Sequence, residues 1–204
     1  MAAGLNTSLG SGFESIAHVL SGGYKRNFSG SFKLTVKQSQ AEQVDQLVRD
    51  LKAGARKPNL DQENELLFNF DPVAAEVDSL PFTADVYIEK ANEIIAIELK
   101  SVRPNSGEGR GEKQKILYAK AALSCANPGK DVKFLLGFPF DPTSDTATGH
   151  EKARFFNYLI EFKKFFAPEE VLIADELWDF LSGGSETMQQ ILEVIRKTVA
   201  EISQ

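Results

Sequence analysis

The chain has 204 residues, 42% of them hydrophobic and 25% charged, which suffices for one domain (1–204) whose core needs no staple. Its single cysteine, Cys125, excludes an intrachain disulfide or a multi-cysteine zinc site, and a net charge of −6 argues against a protein that coats nucleic acid indiscriminately. No stretch is long and apolar enough to span a bilayer and the amino end lacks a secretion signal, so a cytoplasmic protein with no membrane partner is expected.

In chain order, the first apolar stripe is Phe13, Ile16, Ala17 and Leu20, predicting a helix over 10–21 that Gly22-Gly23 ends. Glu14 lies in its first turn, and His18, one turn on, reads as a surface histidine. Ser39-Gln40-Ala41-Glu42 has the form of a capping box, opening a second helix with the stripe Val44, Leu47, Val48 and Leu51. Residues 54–64 read as a polar loop. Two strand-like segments follow, 84–89 and 93–100, separated by a short polar turn. A glycine-rich loop at 104–111 then leads into a helix over 112–126, which Asn127-Pro128-Gly129 stops.

Residues 132–138 read as another buried strand. A loop at 139–150 leads to an aromatic helix near 151–166, whose stripe of Phe155, Leu159, Phe162 and Phe166 suits core or a dimer interface better than base stacking. Val171-Leu172-Ile173 is a last strand, Asp175 the N-cap of the helix after it, and Met188, Ile191, Leu192, Ile195, Val199 and Ile202 mark a final amphipathic helix. The fold class expected is α/β, a small mixed central sheet with helices on both faces.

The charges on the two central strands carry the chemistry. Glu98 and Lys100 alternate with apolar residues and so project from one face of the second strand. If Lys90 and Glu93 flank a two-residue turn, Asp85 falls directly opposite Glu98, with Cβ atoms about 5 Å apart. Two carboxylates that close repel, and a divalent cation between them removes the conflict. Asp85 and Glu98 are therefore candidate metal ligands, with the carbonyl of Leu99 as a third. Mg²⁺ suits an open site of few carboxylates that leaves room for water and phosphate oxygens. Lys100 is placed to orient or deprotonate a water and to offset charge on the phosphate.

Glu14 is a further acidic candidate. Gln114 and Tyr118, spaced i, i+4 on the next helix, share a face that can meet a phosphate or order Lys100, and Glu112 can serve similarly. Six basic residues between Lys100 and Lys120 include Arg103, Arg110 and Lys113; with Asn105 and Tyr118 these are the candidate DNA contacts. A second loop, with Thr143, His150, Lys152 and Arg154, is the other candidate. The glycine spacing matches neither a dinucleotide fingerprint nor a P-loop.

Asp85-x₁₂-Glu98-x-Lys100 on a hairpin, between a helix bearing Glu14 and one bearing Gln114, resembles the PD-(D/E)xK nuclease superfamily. Ala84 stands where that pattern has proline. The resemblance implies a restriction-endonuclease-like fold, with Asp85 and Glu98 as metal ligands and Lys100 as the catalytic lysine. Over longer stretches (residues 97–115, 156–162 and 175–182) the chain is similar to TdeIII-type type II restriction endonucleases. That likeness implies Mg²⁺-dependent double-strand cleavage of DNA at GGNCC, a homodimer and a cognate DNA methyltransferase as functional partner. Gln114-x₃-Tyr118 is also similar to RecB-like exonucleases and junction resolvases. A non-catalytic DNA-binding or assembly module on the same fold is the rival outside enzymes.

Overall fold

The computed structural model describes the backbone of residues 2–101 and 108–202, and the side chains of 11–101 and 109–201. Among the described residues, seven strands and seven α-helices follow the order α1 (Ala2–Ser21), β1 (Tyr24–Phe28), β2 (Thr35–Lys37), α2 (Gln38–Ala53), α3 (Leu60–Phe68), β3 (Glu76–Asp78), β4 (Phe82–Glu89), β5 (Glu93–Leu99), α4 (Glu108–Ala126), β6 (Asp131–Phe138), α5 (Lys152–Tyr158), β7 (Val171–Ile173), α6 (Asp175–Ser182) and α7 (Thr187–Ile202). The main sheet has the order β1-β4-β5-β6-β7, and β2 and β3 form a separate ribbon. β1, β4 and β5 are antiparallel neighbours, whereas β5, β6 and β7 are parallel. The mixed α/β sheet is the architecture the charge and apolar patterns imply.

Parallel neighbours need a long crossover, and α4 supplies it between β5 and β6. Ile94, Ile95, Ala96 and Ile97 of β5 are all buried, as expected of a central strand covered on both faces. α4 packs against α2, α3 and β6, whereas α1 packs on β4 and α6. Gly137 on β6 sits where a Cβ would come within 2.9 Å of Leu99 Cδ2 and 3.0 Å of Leu177 Cδ1, so glycine lets the end of β5 seat tightly. Among the described residues, no helix is long and apolar enough to cross a membrane.

Several local expectations change. The loop expected at 54–64 contains the start of α3, because the Asn59 side chain accepts the Gln62 N–H at 2.9 Å and caps it. α2 begins at Gln38 rather than after Ser39, and Gln40 reaches back to the Lys37 N–H at 3.1 Å. α4 begins at Glu108, inside the glycine run; Gly109 is needed for packing, since its Cβ would meet Phe165 at 3.1 Å and the Glu161 carbonyl oxygen at 3.3 Å. The helix expected over 151–166 is α5 plus a 3-10 turn at Phe162–Lys164, yet its stripe of Phe155, Leu159, Phe162 and Phe166 is buried as core. Ala174, at φ 50°, holds the cap position of α6, and Asp175 is its first helical residue. α7 leaves the body of the protein beyond Ile191, where Val194, Ile195 and Val199 are exposed.

Candidate active site

The turn between β4 and β5 has the form the sequence predicts, with the Lys90 N–H bonded to the Glu93 carbonyl at 2.8 Å. The ladder then runs Glu89↔Ile94, Ile88↔Ile95, Tyr87↔Ala96 and Val86↔Ile97. It stops there, one step short of the expected Asp85–Glu98 pair. On the other side of β4, Tyr24 faces Tyr87 but Arg26 faces Ala84, so two residues of β4, Asp85 and Val86, oppose the single Lys25 of β1. An extra residue of this kind bends a strand and re-aims its side chain, a common device beside active sites. Asp85 sits in the bulge, and its Oδ2 accepts the backbone N–H of Leu99 at 2.9 Å. The N–H and C=O of one strand residue share a direction, so the Leu99 carbonyl also faces the β4 side.

His18 corrects the surface reading. Its Nε2 lies 2.6 Å from the Asp85 carbonyl, and since a carbonyl only accepts, Nε2 carries the proton. This bond ties α1 to the bulge. One turn earlier, Glu14 Oε2 meets Lys25 Nζ at 3.0 Å, and the same ammonium lies 3.2 Å from Asp85 Oδ1. Lys25, from β1, thus bridges two carboxylates and its pKa is raised, chiefly by the hydrogen bond to Glu14.

Glu98 and Lys100 share a face, with Lys100 Nζ 2.6 Å from Glu98 Oε1. α4 adds two residues from the turn above: Glu112 lies 3.0 Å from Lys100, and Lys115 lies 2.6 Å from Glu98 Oε2 and 3.0 Å from Glu112 Oε2. Burial works against the charge on Lys100, but Glu98 and Glu112 together outweigh it and hold its pKa above the ordinary value. Burial likewise opposes charge on Glu112, and Lys100 and Lys115 prevail, lowering its pKa. Lysine 100 is an ammonium at neutral pH in this arrangement.

Four carboxylates (Glu14, Asp85, Glu98, Glu112) and three ammonium groups (Lys25, Lys100, Lys115) therefore gather at one end of β4 and β5, a net charge of −1. Glu98 Oε2 and Glu112 Oε2 are buried without an aligned hydrogen-bond donor, despite their short distances to Lys115. Buried oxygens of that kind fit a cation that presents charge without directional demands. Among the described residues no three His, Cys, Asp or Glu side chains converge as a metal cage. Oxygen donors open to a cation lie on both strands, the Asp85 carboxylate on β4 and the Glu98 carboxylate with the Leu99 carbonyl on β5.

Other sequence candidates fall elsewhere. Gln114 Nε2 donates to Asp45 Oδ1 at 3.1 Å, and Tyr118 OH lies 3.4 Å from the same oxygen, so this pair faces α2 and not Lys100. The reason is helical phase: Glu112 and Lys115 share the face over β5, and Gln114 and Tyr118 the next one round. Lys113 is a correction as a DNA contact. It is fully buried, with Nζ 2.6 Å from Glu170 and 2.5 Å from Glu63. Arg110 is exposed in the first turn of α4, while Arg103 and Asn105 lie outside the described residues. His150 bonds Asp175 at 2.6 Å, Lys152 bonds Glu176 at 2.7 Å and Arg154 bonds Asp145 at 2.8 Å, on a loop that Asp141 holds through the Thr143 N–H at 2.8 Å. Sequence reasoning missed Lys25 and Lys115, because neither lies near the motif in a readable spacing; the charge at Lys115 was visible only as part of a basic run.

Residues 2–199 match the type II restriction endonuclease family HinfI. The chain belongs to this family. It is 50% identical over 196 residues to the type II restriction enzyme MjaII of Methanocaldococcus jannaschii, which covers 94% of this chain and 52% of that enzyme. The chain thus spans about half the length of the curated relative it matches. No solved structure matches it.

Proposed function

We propose that this chain is the catalytic unit of a type II restriction endonuclease, hydrolysing phosphodiester bonds of double-stranded DNA at a specific sequence with Mg²⁺. The observation that carries the reading is the convergence of Asp85, Glu98 and Lys100 with Glu14 and Glu112 at one sheet end, in a HinfI-family chain. Asp85, Glu98 and the Leu99 carbonyl would hold the ion, which supplies polarisation of the phosphate and a more acidic water.

The protein's own groups do the rest. The bond from Leu99 N–H fixes the Asp85 carboxylate in the bulge, and His18 fixes its backbone. Lys100, held between Glu98 and Glu112, would orient the attacking water and offset negative charge on the phosphate. Lys115 pairs with Glu98, helps hold the Glu112 pKa down and adds a second cation beside Lys100. Lys25 pairs with both Glu14 and Asp85, so an ion held by Asp85 would compete with this ammonium, for which Glu14 remains a partner. A site of net charge −1 becomes net +1 with a divalent ion, which favours a phosphate.

The cut sequence GGNCC, a homodimer matching its two-fold symmetry, a cognate methyltransferase and a cytoplasmic setting complete the proposal. The exonuclease or resolvase reading rested on Gln114-x₃-Tyr118, whose side chains meet Asp45 and not the cluster. Lys100→Ala tests the reading: duplex affinity should stay within a few-fold while cleavage falls by orders of magnitude, and a Lys100→Ala protein that still cuts refutes it.

A further inference from the structure

A groove of about 680 Å³ runs between the carboxyl end of α2 with the segment after it and the 3-10 turn that follows α5. Lys52, Arg56 and Lys57 line one wall and Lys163 and Lys164 the other, and no acidic residue lines it. Four of these five side chains are exposed and Arg56 is half-buried. Among the described contacts, Lys52, Arg56 and Lys57 meet no carboxylate. Lys163 bonds only the Asn157 amide oxygen at 3.0 Å, and Lys164 reaches Glu161 at 2.7 Å. In a chain with 29 acidic and 23 basic residues, the four of these cations without a carboxylate partner repel one another unless an anion lies among them.

The groove sits at the catalytic end of the molecule. α2 and α4 run antiparallel, since Gln40 meets Cys125 while Asp45 meets Tyr118 and Gln114. The last turn of α2 therefore lies beside the first turns of α4. The other wall abuts the same place, because Gly109 packs against Phe165 and Glu161. Gly109 precedes Glu112 of the catalytic cluster by three residues, about 4.5 Å along the helix axis.

We propose that this groove docks the phosphate backbone of duplex DNA flanking the bond to be cut, a proposal that rests on the nuclease reading above. The cations stand on two open walls over an apolar floor that includes Phe166, and no buried polar side chain is aimed between them to seize a single phosphate. Spread charge of this kind suits a polymer with one negative charge per 1.7 Å of axis, not a mononucleotide. The groove positions the duplex and reads no bases, a task for other loops.

The test compares Lys52→Gln/Arg56→Gln/Lys57→Gln, and separately Lys163→Gln/Lys164→Gln, with the parent chain. Binding of a labelled duplex of roughly 40 bp is followed by fluorescence anisotropy over a salt titration, with Mg²⁺ in a Lys100→Ala background so that the probe stays intact. Each lost phosphate contact should lower the slope of log K against log salt by about 0.9, so the triple variant should lose about 2 to 3 and bind at least about tenfold more weakly at low salt. With Lys100 intact, the groove variants should give the same fragments as the parent, only more slowly. Slopes and affinities unchanged in both variants, with a parent that binds, would overturn the groove alone. A parent that neither binds nor cuts duplex DNA would overturn the nuclease reading and this proposal with it.

Discussion

Replacing Lys113 by Met removes a cation that has no water to replace it. Lys113 Nζ sits between Glu63 Oε2 at 2.5 Å and the two oxygens of Glu170 at 2.6 and 2.8 Å, and none of the three side chains is more than 2% exposed. Glu63 is also fixed by the Asn59 N–H at 3.1 Å and Glu170 by the Ala167 N–H at 2.8 Å, so neither carboxylate can swing out without breaking a cap. Without the ammonium, two negative charges face each other across about 5 Å, a repulsion of roughly 3 kcal/mol at an effective dielectric of 20. Breaking a buried ion pair by removing one partner costs about 3–5 kcal/mol. We therefore expect Lys113→Met to lower unfolding free energy by that amount in guanidinium titrations at pH 7. Adding Glu63→Gln should recover part of the loss. A loss below about 1 kcal/mol, with weakened DNA binding, would refute the buried-cluster assignment and restore Lys113 as a DNA contact.

Mg²⁺ calorimetry separates the roles of Asp85 and Lys25. Asp85→Asn keeps an acceptor for the Leu99 N–H but loses the charge, and should weaken Mg²⁺ at least about tenfold; Lys25→Met removes the competing ammonium and should tighten it. Unchanged affinity in both would remove Asp85 from the ion's ligands. A separate expectation concerns Lys120, which burial pushes down from 10.5 to about 8 and whose amine meets the Asn64 side chain. Between those two values the unfolded chain binds more protons than the folded one, so this residue's penalty shrinks as pH rises from 8 to 10.5. The stability of the parent relative to Lys120→Met should thus rise by about 3 kcal/mol from pH 7 to pH 10.5, measured by denaturant titration; a flat difference would refute it.

The parts of the site written on adjacent strands were legible in the sequence. The Lys90–Glu93 turn fixed the register of β4 on β5 through Val86↔Ile97, and the Glu98/Lys100 alternation placed both on one face. The bulge at Asp85 was not legible, because it depends on how β1 pairs with β4, and nothing in Tyr24–Phe28 announces an edge strand by periodicity. The same gap hid Lys25. On α4, the basic run singled out Lys113 as DNA-facing and passed over Lys115; two residues of helical phase send the first into a buried acid pair and the second onto Glu98. Asn59 lies in the run read as a polar loop, and its role as a cap shows only in the structure. The basic groove escaped notice because its walls are about a hundred residues apart in the chain.

Cutting of DNA at defined places is the central property proposed for this cluster. The most direct measurement is digestion of a long sequenced DNA by the purified chain with Mg²⁺, beside a chelator control and Asp85→Asn, followed by sequencing of the fragment ends. Discrete fragments sharing one end sequence, absent from both controls, are the expected result. Intact DNA in every lane, a smear without defined ends, or cutting that survives chelator and Asp85→Asn would contradict it.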